Sequence, residues 1–214
     1  MNAPAFSPAG FWKRYVAYFI DVVLLYALIE LLSALFFAGN NAAVTEDALK
    51  LLSALFNQQA LPEDPIALSR RLTELAWRST LFSAFAYVTI GGVYFVGCES
   101  SPAQATLGKR LLGIKVTDRQ GRRIGLGRAL GRFFAAGLSW LTFNLGHALA
   151  AWTPERRALH DYLAGTRVDN VDPTRPKMPL WGWAIVGLHA LVFLLFVLGT
   201  VALTVLAVNS LSNL

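Results

Sequence analysis

The chain has 214 residues and a net charge of +6; 55% of it is hydrophobic, 15% is charged, and its mean hydropathy is +0.49. Soluble domains carry about 25% charged residues, so this composition excludes an ordinary soluble domain and points to one integral membrane domain. The basic residues sit beside apolar runs, which excludes nucleic acid as the partner and favours cytoplasmic loops facing anionic lipid.

Residues 1–10 are rich in Pro and Ala and are expected to be a disordered tail with no cleavable signal, since no basic n-region precedes the apolar run. Residues 11–37 form the first predicted span, apolar for roughly 20 residues, with Trp12, Tyr15 and Tyr18 at the headgroup level. Arg14 stands near its start and Asp21 inside it, two helical turns apart and therefore on one face. Glu30 points to the opposite face, further across. The net acidic loop 39–77 carries a helix stop at Gly39-Asn40-Asn41, breaks at Pro62 and Pro65, and two amphipathic stretches fit for the outer surface. A second span is predicted over 78–97, where Ser83, Tyr87, Thr89, Gly91, Gly92 and Tyr94 allow close helix contact and interhelical hydrogen bonds. Cys98, the single cysteine, excludes an intrachain disulfide and reads as a packing residue.

Residues 98–132 form a basic loop with only Glu99 and Asp118 opposing it, which makes it cytoplasmic by the positive-inside rule. Within it, 112–117 alternates like a strand, 118–121 reads as a turn, and 123–126 could return as a hairpin. The run 133–152 is long enough for one crossing. A crossing would place the following Arg156, Arg157, Arg167, Arg175 and Lys177 outside, and Asn144-Leu145-Gly146 interrupts the run, so a broken or re-entrant pair is favoured over a simple span. An extended linker over 171–179 leads to a last span over 180–208, anchored by Trp181 and Trp183. The predicted fold is an all-α polytopic membrane protein: three spanning helices, the broken segment, and a small cytoplasmic β-hairpin-like element.

Three blocks carry a resemblance. They are Lys13-Arg14-Tyr15-Val16-Ala17-Tyr18-Phe19-Ile20-Asp21, then residues 101–116 (SPAQATLGKRLLGIKV), then Ala158-Leu159-His160-Asp161-Tyr162-Leu163-Ala164-Gly165-Thr166. In this order they resemble the RDD family of small bacterial membrane proteins, with Arg14, Asp21 and Asp161 at the three signature positions. The resemblance covers 13–168 and leaves the last span outside. It implies a role in transport, with cation/proton antiport as one form.

Taken residue by residue, Asp21 reads either as an intramembrane proton or cation carrier or as an anchor hydrogen-bonded to Tyr18 and to a basic residue from the cytoplasmic blocks, with Lys109, Arg110 and His160 as supporting residues. Arg14 reads as structural, holding the Asp161 loop or lipid phosphates. Glu30 is either a second titrating group or a helix–helix hydrogen bond. Thr166-Arg167-Val168 is expected to pair with Ile114-Lys115-Val116 as strands. His160-Asp161 lacks the three or four convergent ligands of a metal site, and Gly108-Lys109-Arg110 lacks the glycine and the hydroxyl of a phosphate loop; no metal or cofactor is expected. No nucleophile stands beside a base, so no enzyme is expected. Two functions follow. One is a small transporter or antiporter subunit that, lacking an internal repeat, would act as an oligomer. The other is a non-transporting accessory or scaffold that binds a partner or anionic lipid through its basic loops. Both place the chain in the bacterial inner membrane with its N-terminus in the cytoplasm.

Overall fold

The computed structural model describes residues 7–36, 45–46, 49–50, 52–54, 56–57, 65–142 and 144–212. Helix α1 (Phe11–Phe36) buries Lys13, Ala17, Asp21, Leu25, Ile29 and Ser33, one side chain every four residues, with Val16 beside them. Steps of four stay on one helix face, so a single stripe of α1 meets the rest of the protein. Glu30 lies off the stripe and is exposed.

The second span begins earlier than expected. One rod runs from α2 (Pro65–Ala86) through a π-helical turn at Tyr87–Gly91 into α3 (Gly92–Ser100). What reads as a separate amphipathic stretch after Pro65 is the start of this rod. Proline is tolerated at a first helical position because its missing N–H is an orphan there, and Arg78 bonds Glu74 one turn back at 2.8 Å. Gly39-Asn40-Asn41 and Pro62 of the preceding loop lie outside the described residues.

After α3 the chain forms the short helix α4 (Leu107–Leu111) and strand β1 (Ile114–Asp118). Helix α5 (Leu126–Leu141) follows, Asn144 turns the chain in the left-handed region at φ 62°, and α6 (Leu145–Trp152) leads back. Arg132 in α5 bonds Asp161, nine residues past α6, at 3.0 Å. After the break the chain thus returns to the helix that precedes it. Gly146 makes the turn close: a Cβ there would collide with the Ser139 hydroxyl. Helix α7 (Leu159–Ala164) ends at Gly165, φ 65°, and strand β2 (Thr166–Asn170) follows.

The sheet is antiparallel and pairs Ile114 with Asn170, Val116 with Val168 and Asp118 with Thr166. The expected pairing of the second and third blocks is present, but the local hairpin is not: 123–126 does not return as a strand. Instead Ile124, 1% exposed, seats in the core and Leu126 opens α5. The expected disordered tail also fails at its end. The Asn170 amide donates to the Ser7 carbonyl at 2.8 Å and the Ala9 amide to the Val168 carbonyl at 2.9 Å. Residues 7–9 thus lie along the free edge of β2, where Pro8 can sit without giving up a ladder bond.

The apolar core formed by Val16, Ala17, Val96, Leu112, Ile114, Val116, Ile124 and Val168 gathers where α1 and α3 meet the sheet. Helix α8 (Leu180–Ser212) touches α1 through Trp12 against Trp183 and through His189 against Tyr15 and Phe19. Among the described residues three helices, Phe11–Phe36, Ser69–Ser100 and Leu180–Val205, are long and apolar enough to cross a membrane.

Candidate functional site: two buried carboxylates and a chain of charges

Asp21 and Asp161 are both fully buried, yet their surroundings differ. Asp21 Oδ1 accepts the Tyr94 hydroxyl at 2.7 Å and the Gly108 amide at 2.8 Å; Oδ2 accepts the Thr106 hydroxyl at 2.5 Å. Every one of these donors is neutral. The local sequence explains them. Thr106 is the N-cap of α4, so the carboxylate lies against amides that a short helix leaves unpaired. Gly108 must be glycine, because a Cβ there would overlap the Ala17 carbonyl one turn before Asp21. The π-turn brings Tyr87 to Tyr18 (hydroxyls 3.1 Å apart) and Tyr94 to Asp21.

The anchor expected for Asp21 is thus composed differently. Tyr18 bonds Tyr87, and neither Lys109 nor Arg110 bonds the carboxylate. Lys109 Nζ reaches Glu99 at 3.0 Å and Thr106 Oγ1 at 3.4 Å, while Arg110 is exposed and donates to the Ala105 carbonyl at 3.3 Å.

Asp161 is held by charge. Arg14 Nη1 meets Oδ2 at 2.5 Å and Arg132 Nε meets Oδ1 at 3.0 Å. The Ala158 amide donates to Oδ2 at 3.1 Å and the Thr166 hydroxyl to Oδ1 at 3.3 Å. Burial alone would raise the Asp161 pKa; Arg14 and Arg132 outweigh it and hold the carboxyl well below the usual carboxylate range. Arg14 is clamped further by the Ala9 carbonyl at 3.2 Å and the Val168 carbonyl at 3.4 Å, which fastens α1 to β2.

Arg132 continues the chain of charges. Its Nη1 meets Glu99 at 2.5 Å, and Glu99 meets Lys109. The sequence runs Arg14, Asp161, Arg132, Glu99, Lys109, then through Thr106 to Asp21: three cations against three carboxylates, of which all but the partly buried Arg14 are buried. Glu99 and Arg132 had no role in the sequence reading. The available signal was slight: Glu99 is one of only two acids in the basic stretch 98–132, and an acid so placed needs a cation.

His160 touches this chain without a metal's geometry. Arg132 Nη2 lies 3.2 Å from its Nε2. A guanidinium can only donate, so Nε2 accepts and the ring proton is assigned to Nδ1. Burial, then the cation of Arg132 against the opposing pull of Asp161, brings the His160 pKa down to about 3; burial lowers neighbouring His147 to about 4. Their rings stand 5.0 Å apart. Among the described residues no group of three or more His, Cys, Asp or Glu converges to hold a metal. Glu30 has no hydrogen-bond or ion-pair partner among them.

The model of the RDD family matches residues 8–165. The chain is 33% identical over 169 residues to the uncharacterized protein YxaI of Bacillus subtilis (strain 168), covering 76% of this chain and 97% of YxaI. It is 36% identical over 77 residues to the uncharacterized protein YckC of the same organism, 34% of this chain and 51% of YckC. No solved structure matches. With the first two blocks and all but the last residue of the third inside one match that spans most of its length, this membrane protein belongs to the RDD family.

Proposed function

We propose that this RDD protein is a non-transporting membrane accessory whose signature residues lock the spanning helices to a basic face. The observation behind this reading is that Asp21 and Asp161 are fully buried and that each oxygen of both carboxylates accepts from protein donors. A carrier must exchange partners with water or a cation, whereas these groups are already satisfied. The lock joins α1, α3, α5 and the β1–β2 sheet. Exposed Arg110, Arg119 and Arg123 lie outside it, available to an acidic partner protein or to anionic headgroups. The reading assigns no enzymatic step to the chain. It orients the sheet and the N-terminus of α1 toward the cytoplasm of the inner membrane, following the basic loops.

The transporter reading retains one specific support: Asp21 is the carboxylate of the network bonded only by neutral donors. Reconstitution separates the two. The accessory reading expects no proton-coupled cation flux from the full chain in proteoliposomes, and expects Arg119→Gln, Arg122→Gln and Arg123→Gln together to weaken partner or lipid association. A flux that Asp21→Asn abolishes while folding and association persist would replace it with an antiporter, acting as an oligomer.

A further inference from the structure

A cleft of about 310 Å3 opens where α1 begins, α6 ends and α8 begins. Lys13 and Arg156 line it, with Gly10 and the apolar Trp12, Trp183 and Met178; no carboxylate is among its lining residues. Lys13 is 5% exposed. Its ammonium donates to Asn170 Oδ1 at 2.8 Å and to the Arg175 carbonyl at 3.2 Å. Both acceptors are neutral, and among the described residues one of its three N–H groups is left over. Among the described residues no acid pairs with Lys13 or with Arg156, whereas the neighbouring Arg157 takes Glu155 at 3.0 Å. Arg156 donates to the Pro8 carbonyl at 3.3 Å and is held in the left-handed region, φ 50°. A buried cation without a counter-ion is costly; here it lines an open cleft beside a second cation. The N-terminus of a 26-residue helix, whose dipole also favours negative charge, opens onto the same space.

We infer that this cleft binds the phosphate of an anionic phospholipid, with Lys13 and Arg156 as its charged contacts. The lipid source follows from the rim. Trp12 and Trp183 stand 6.0 Å apart at the adjoining ends of two spanning helices, the level of headgroups. The volume is at the small end of ligand sites, enough for a headgroup whose acyl chains lie outside along α1 and α8. None of Arg119, Arg122 and Arg123 lines the cleft, so this site is separate from the basic face proposed above, and its occupancy does not depend on whether the core transports.

The test is native mass spectrometry of the full chain in mild detergent, titrated with phosphatidylglycerol, with phosphatidylcholine, and with soluble glycerol 3-phosphate as competitor. Arg156→Gly is the decisive variant, because glycine suits the left-handed backbone and the fold should persist; thermal melting checks this. Expected are retention of phosphatidylglycerol over phosphatidylcholine and a loss of about tenfold in affinity in Arg156→Gly and again in Lys13→Gln. The triple Arg119→Gln, Arg122→Gln, Arg123→Gln variant, which removes none of the cleft's lining residues, should keep the one phosphatidylglycerol that Arg156→Gly loses, whatever lipid it gives up at the basic face. Equal retention by Arg156→Gly and the parent overturns the site. So does equal binding of both lipids, loss of the lipid only in the triple variant, or displacement by glycerol 3-phosphate at matching concentration, which would make a soluble phosphate ester the occupant.

Discussion

Asp21 and Asp161 are equally buried, but one is stabilised by three neutral donors and the other by two guanidinium groups. A carboxylate held by hydroxyls and an amide depends on geometry: a capped helix end, a glycine without a Cβ, a tyrosine turned by a π-helical step. One held by arginines depends on charge balance, and its loss leaves two cations behind. The same residue type therefore serves two ends of one lock, and the two ends should fail in different ways.

The largest effect expected is at Asp161. Asp161→Asn leaves Arg14 and Arg132 partly or wholly uncompensated and should cost about 3–5 kcal/mol, read as loss of folded protein in detergent or a steep drop in melting temperature. Asp21→Asn leaves no cation behind. Its amide must face either the donors on Oδ1 or the Thr106 hydroxyl, which can then accept only by ceasing to donate, at a cost of about 1–3 kcal/mol, so it should melt lower than the parent but well above Asp161→Asn. Equal melting temperatures for the two variants would break the contrast. A smaller effect comes with pH. The histidines at 147 and 160 have folded pKa values of about 4 and about 3, below the ordinary value of 6.5. Their neutral forms are favoured on folding, so their contribution is complete above about pH 6.5 and declines as pH falls toward the folded values. Melting temperature should drop between pH 6.5 and 4, less so in His160→Gln. Asp161 adds nothing in that window: its pKa is held low, so its contribution is lost only as pH falls below the ordinary carboxylate value toward the folded one. Least affected should be Arg119→Gln and Arg123→Gln, both exposed, with no measurable change in melting but weaker association if the basic face is used.

Length and hydropathy were enough to read three spanning helices, and the blocks were enough to pick out Arg14, Asp21 and Asp161. That the strand at 114–118 pairs with the one at 166–170 was legible too, but not the register, in which 114–116 oppose 168–170. Convergence was not. Nothing in the spacing says that Glu99 and Arg132, 33 residues apart, share a bond, or that Tyr94 rather than Tyr18 faces Asp21. The latter follows from the π-turn, which shifts helical phase by one residue and leaves periodicity blind to it. Residues 7–9 looked featureless because their order comes from the edge of β2, made far downstream. Pro65 read as a breaker because proline both ends and begins helices.

That distance has a consequence in time. Arg14 and Asp161 are 147 residues apart, and the donors to Asp21 lie 73 to 87 residues after it. At about 5–20 residues per second, the ribosome needs on the order of ten seconds to deliver Asp161 after Arg14. The first span must wait through that interval with an arginine and an aspartate unmatched. Chains truncated before Asp161 should therefore be less stable in the membrane than the full chain, read as a shorter half-life after synthesis.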